Sequence, residues 1–177
     1  MFRGKNLPEL HRLEIRRELL LIHRQGENLS DGIKIFEPNH CPPNGVFVYL
    51  GLPSRGQALH NAVRNGLDVR VLRDLAVLMD SNIRQVADCL DISRTTLYRR
   101  FKLGRFSSKE SDAIVRMAEV LEAAVQLFDD DRDQAIRWMR SSIKGLDNKS
   151  PLDSLQTNVE SQAVIELIHR LEHGVFS

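Results

Sequence analysis

Cysteine is scarce in this 177-residue chain. Its two cysteines, Cys41 and Cys89, cannot build a disulfide framework. With no export signal in view, a reducing cytoplasm is the expected compartment. Long apolar runs are missing as well: none approaches the roughly 20 residues that a membrane-spanning helix needs. Residues 18–22 (Glu-Leu-Leu-Leu-Ile) are flanked by charge on both sides, which excludes a span or a signal-peptide core. There is no Gly-rich phosphate loop, no Gly-x-Ser-x-Gly elbow and no His-Glu-x-x-His pair, so an enzyme is the least supported class. No repeat and no compositionally biased tract stands out. What remains is ordinary: 42% apolar and 28% charged residues, the proportions of a globular domain or two small ones.

Net charge is +1, but it is unevenly spread. Residues 82–109 hold seven Lys/Arg against two Asp/Glu, while residues 110–128 hold one against four. A local basic block in a neutral chain is expected where one element meets phosphate, and equally where a helix face is merely solvated.

Helical spacing dominates the pattern. Residues 7–25 repeat leucine and isoleucine at helical intervals, with Pro8 suited to a first turn and Gly26 to a stop. Residues 27–45 are rich in turn chemistry (Asp31-Gly32, Pro42-Pro43, Asn44-Gly45). Val46-Phe47-Val48-Tyr49-Leu50 fits either a short strand or an apolar lead into the next domain. Helices are then expected from residue 57 to Asn65-Gly66, from Asp68 through Met79, over residues 82–90, and from Ser93 to about Lys102, with Gly104 as a stop. Ser107-Ser108-Lys109-Glu110 has the form of a capping box. The helix after it is apolar nearly all round to Phe128 and must be covered on more than one side. In so small a domain this suggests a subunit interface through Met117, Val120, Leu121, Ala124 and Phe128. Asp129-Asp130-Asp131 gives the next helix a negative start, Ser150-Pro151 reads as a cap followed by a first-turn proline, and a last helix runs from about Asn158 to His173. Its apolar stripe is Val159, Ala163, Val164, Leu167, Ile168 and Leu171.

Residues 83–102 have the form of a helix-turn-helix. Ala87 is small where two helices would cross; Val86, Leu90, Ile92 and Leu97 point into the angle between them. Asp91 falls in the turn, where it must tolerate a left-handed backbone. Ser93 is placed to cap the second helix. Arg94, Thr95, Tyr98, Arg99 and Lys102 lie away from the apolar seam, as residues reading a DNA groove would. Ser93 and Arg84 are expected at the DNA as well, and Arg100 and Arg105 are expected at phosphates. The competing reading is a helical corner with a solvated basic face. His169 and His173 stand four apart, but no third metal ligand is near them in sequence, so no metal is expected.

The second half carries a further pattern: Ala123-Ala124-Val125-Gln126-Leu127-Phe128, Ala135-Ile136-Arg137-Trp138-Met139, Gly145-Leu146, Ser150-Pro151-Leu152-Asp153-Ser154-Leu155-Gln156-Thr157, and Val164 through Phe176. In this order and spacing it resembles the MbcA/ParS/Xre antitoxin family, whose C-terminal domain binds a toxin. The helix-turn-helix is similar to that family's N-terminal domain, including Thr96-Leu97-Tyr98-Arg99-Arg100 and Glu110-Ser111-Asp112. The resemblance covers roughly residues 50–177. Two departures stand out. Leu146-Asp147-Asn148-Lys149 replaces a Leu-Gly-Gly-like turn, and Val159-Glu160 stands where a glycine is usual.

The resemblance implies an antitoxin that dimerises, represses its own operon and blocks a NAD-consuming RES-type toxin. It implies toxin contact by the C-terminal end, where His169, Glu172, His173, Gly174, Val175, Phe176 and Ser177 would reach or cover the toxin's NAD site. An apolar Phe176 beside a terminal carboxylate is chemically suited to stopper such a cleft. The expected architecture is all-α, in three parts: an N-terminal segment (1–56), a helix-turn-helix domain (57–110) and a toxin-binding domain (111–177), with no cofactor. A rival expectation is a free-standing transcription regulator whose C-terminal domain senses a ligand or protein.

Overall fold

Turn chemistry punctuates the chain into short helices, each with its own cap. The computed structural model describes residues 45–173. The helix expected over residues 7–25, nearly all of the turn-rich stretch after it, and Gly174, Val175, Phe176 and Ser177 lie outside the described residues. Among the described residues there are eight α-helices: α1 (Gly45–Tyr49), α2 (Gly56–Asn65), α3 (Val69–Leu78), α4 (Ile83–Cys89), α5 (Arg94–Leu103), α6 (Ser108–Leu127), α7 (Arg132–Met139) and α8 (Asn158–Glu172). Two single turns of 3-10 helix, Lys144–Leu146 and Leu152–Ser154, separate α7 from α8. No strand occurs among the described residues. None of their helices is long and apolar enough to cross a membrane.

The expected caps are in place. Ser93 Oγ accepts the Thr96 amide, and Ser107 with Glu110 forms a complete capping box. Asn82 with Gln85 and Thr157 with Glu160 form two more. Each such cap satisfies amides that the first turn leaves orphaned, worth about 1 kcal/mol. Of the three aspartates before α7, only Asp131 caps it, accepting the Gln134 amide. Asp129 and Asp130 adopt φ of 52° and 65° in the connection instead.

One open reading is settled here and one expectation is corrected. Residues 46–49 are helical, not a strand, and α1 lies on α6. Its Phe47 amide donates to Glu122 at 3.2 Å. More important, four of the five α6 residues expected at a subunit interface face the chain's own interior. Met117, Val120, Leu121 and Ala124 are buried inside this single chain, and Phe128 is half-buried with its ring 6.2 Å from that of Trp138. The reason is topological: α1, α2, α7 and α8 all pack on α6. A helix apolar on every side is covered, but its own chain supplies the cover.

One continuous core results, running from Val46 and Phe47 through the helix-turn-helix to Leu167 and Ile168 of α8. On α8, Ser161, Val164, Leu167 and Ile168 face inward. Val159, at 79% exposure, and exposed Ala163 leave the expected stripe. Before α8, Asp147 and Asn148 take φ of 54° and 60° in succession. They perform a left-handed double turn for which glycine is the usual choice, and Asx side chains tolerate that region better than most.

Candidate nucleic-acid interface and partner surface

The corner between α4 and α5 closes on small and apolar side chains. Val86, Ala87, Leu90 and Ile92 are buried, and Leu97 is half-buried against them. Asp91 turns the chain at φ 54°, and the Ile92 amide returns to the Ala87 carbonyl at 2.8 Å. None of the side chains on α5 is fully buried. Phe101 packs partly against the core and is covered by the Arg73 guanidinium of α3, 4.8 Å above its ring.

The outer face of α5 is free. Arg94, Thr95, Tyr98, Arg99 and Lys102 are all exposed, as are Ser93 at the cap and Arg84 on α4. Residues 94, 95, 98, 99 and 102 recur at intervals that place them on one side of a helix. Tyr98 is 65% exposed, and the Lys102 ammonium sits 4.7 Å over its ring. This pair keeps an aromatic edge and a positive charge together on the outer face.

Arg100 is turned inward, away from the exposed face where a phosphate contact was expected, whereas Arg105 stays exposed. Arg100 reaches the Glu110 carboxylate at 2.7 Å, with side-chain exposures of 19% and 14%. Burial raises the Glu110 carboxyl, but the Ser107 amide and the Arg100 guanidinium outweigh it and hold the group below the usual carboxylate range. Arg105, though exposed, donates to the carbonyls of Gly66 and Asn65 at 3.1 and 3.4 Å. Both arginines fasten α5 to its scaffold. Around them the Phe106 amide donates to the Leu67 carbonyl at 2.9 Å, the Val69 amide to Gly104 at 3.2 Å, and the buried Leu67 amide to Ser111 Oγ at 2.8 Å. Gly66 makes this approach possible. Its φ is +81°, and a Cβ there would meet the Phe106 carbonyl oxygen at 2.2 Å.

The outward side of α8 forms a second surface. His169, Glu172 and His173 are exposed, together with Val159, Gln162, Ala163, Glu166 and Arg170. The helix therefore has one side in the core and one side open. At its start Glu160 meets Lys149 at 3.3 Å, and its carboxyl is lowered chiefly by the Thr157 hydroxyl. The remaining four residues expected to contact a partner lie outside the described residues.

Sequence reasoning missed Arg140, at the end of α7. Its guanidinium donates to the carbonyls of Met79 and Asp80 at 2.7 and 2.9 Å and to Ser81 Oγ at 3.3 Å. The contact spans about sixty residues of sequence, and no local pattern announces it. The Cys89 thiol is pushed up by burial, then by the charges of Asp153 and Asp88, so it stays protonated at neutral pH.

Comparisons with known proteins divide the chain in the same sense. Residues 58–119 match the family described as the antitoxin Xre-like helix-turn-helix domain. Residues 123–174 match the antitoxin Xre/MbcA/ParS C-terminal toxin-binding domain. The two matches meet within α6. A protein named "Antitoxin Xre" from Yersinia enterocolitica is 40% identical over 130 residues, covering 72% of this chain and 88% of that protein. Another of that name, from Photorhabdus laumondii, is 31% identical over 148 residues, covering 82% of this chain and all of the relative.

Proposed function

The chain belongs to the Xre antitoxin family, and from that premise we propose that it neutralises a NAD-consuming RES-type toxin and represses its own operon. The single observation that carries the reading is the presence of two open surfaces on one protomer: the cationic outer face of α5 and the outward side of α8. The first suits a DNA major groove, where arginine pairs with guanine and where Thr95 and Tyr98 meet phosphate or a thymine methyl. The second leads directly into the C-terminal end of the chain, which would stopper the toxin's NAD site.

On this reading the chain works in the cytoplasm, by binding and not by catalysis. It meets a two-fold operator as a homodimer. Because Met117, Val120, Leu121 and Ala124 are interior, the dimer contact falls on another surface. Expressing a RES-type toxin with and without this chain, and measuring cellular NAD, tests the neutralising role. NAD should be preserved when both are present, and equal depletion in the two cultures would refute it.

A further inference from the structure

The sequence match to the DNA-binding module ends at residue 119, but an exposed guanidinium from beyond it reaches that module. In helix-turn-helix docking the first helix of the pair crosses the DNA backbone while the second enters the groove. Here the first helix is α4, with Arg84 exposed on it. A guanidinium from the toxin-binding module stands beside the start of that helix: Arg140 donates to Ser81 Oγ at 3.3 Å, and Ser81 Oγ in turn lies 3.4 Å from Gln85 Oε1 of α4. The same guanidinium nitrogen holds the Met79 and Asp80 carbonyls at the end of α3. Its other two nitrogens carry no hydrogen bond to any described residue, and the side chain is exposed. Arg137 is exposed three residues earlier, on the same side of α7.

We propose that Arg140, with Arg137 beside it, contacts the DNA backbone, so that the toxin-binding module forms part of the DNA-binding surface. The inference rests on the helix-turn-helix reading and adds the residues that extend it. Arg140 is well built for the task. Its bonds to α3 fix the guanidinium before DNA arrives, so little side-chain freedom is lost on binding. A backbone contact of this kind adds affinity on any sequence and carries no base preference.

The test uses the full-length chain and a mixed-sequence duplex of about 30 base pairs, with binding followed from about 50 to 200 mM salt. Arg140→Gln keeps an amide donor for the α3 carbonyls but removes the charge. It should lower the salt slope by about 0.9, the loss of one phosphate contact, while Arg140→Lys keeps the slope of the unaltered chain. Loss of folded protein scales binding equally at all salt concentrations and leaves that slope unchanged. Should Arg140→Gln fail to fold, Arg137→Gln alone, which breaks no hydrogen bond of the structure, should still reduce the slope. A full slope in the folded charge-removing variants overturns the proposal, provided Arg94→Ala with Arg99→Ala abolishes binding. If the unaltered chain does not bind the duplex at all, the helix-turn-helix reading falls, and this inference with it.

Discussion

The Arg100 guanidinium and the Glu110 carboxylate meet at 2.7 Å across the turn that ends α5, and they tie that helix to the first turn of α6. Arg100 therefore positions α5. Arg100→Ala should destabilise the protein by about 1.5–3 kcal/mol, the cost of losing a hydrogen bond to a charged group, because half-buried Glu110 keeps the bond from the Ser107 amide. Urea unfolding measures this. Once corrected for folded fraction, the salt slope of DNA binding should match that of the unaltered chain.

The same pair gives a pH dependence with a definite sign. Glu110 titrates lower in the folded state than in the unfolded chain, where glutamate titrates near about 4.3. Its contribution to stability is thus complete above that pH and is lost as pH falls through the folded value. The stability gap between the unaltered chain and Glu110→Gln should be widest near neutrality, begin to shrink as pH falls below the unfolded value and close only below the lowered folded one, as read by denaturant midpoints across pH.

Gly66 is the tightest backbone site of the scaffold. Gly66→Ala sets a methyl group against the Phe106 carbonyl and adds the strain of a positive φ, which costs about 1–3 kcal/mol before the clash. Gly56→Ala shares the positive φ but meets open space, so its loss in thermal denaturation should be clearly smaller.

Burial of α6 within the protomer predicts how its mutants behave. Leu121→Ala should cost about 2–5 kcal/mol of protomer stability. Sedimentation at fixed folded fraction should show the oligomeric state unchanged. A folded variant that simply dissociates would return this helix to a subunit interface.

Local chemistry was legible in the sequence and long-range pairing was not. The α4–α5 corner could be read because Ala87, Asp91, Ser93 and Leu97 act within ten residues of one another, through sterics, backbone handedness and capping. The caps at Ser107 and Asp131 were legible for the same reason. Arg100 was misplaced because its partner lies beyond the Gly104 turn, and a cationic side chain near a helix end looks the same whether it meets a phosphate or a carboxylate. The all-round apolar pattern of α6 showed that the helix is covered, but periodicity does not say whose side chains cover it. Val159 and Ala163 fit a helical stripe by type yet fall outside the arc that α6 occupies. Arg140 had no local signal, since α7 meets the end of α3 only in the folded chain.

The surfaces of α5 and the C-terminal end should also be separable. Arg94→Ala with Arg99→Ala removes two exposed side chains of the outer face of α5. It should abolish operator binding in a gel-shift assay while leaving the melting temperature and toxin neutralisation unchanged. Loss of neutralisation in that variant would mean that the toxin contacts α5.

The most direct test of the account is cellular NAD during co-expression of the toxin that the full-length chain neutralises with a chain truncated after Leu171. Continued NAD loss, with DNA binding by the truncated protein intact, is the predicted result. Full protection of NAD by the truncated chain would contradict a toxin contact made by the C-terminal end.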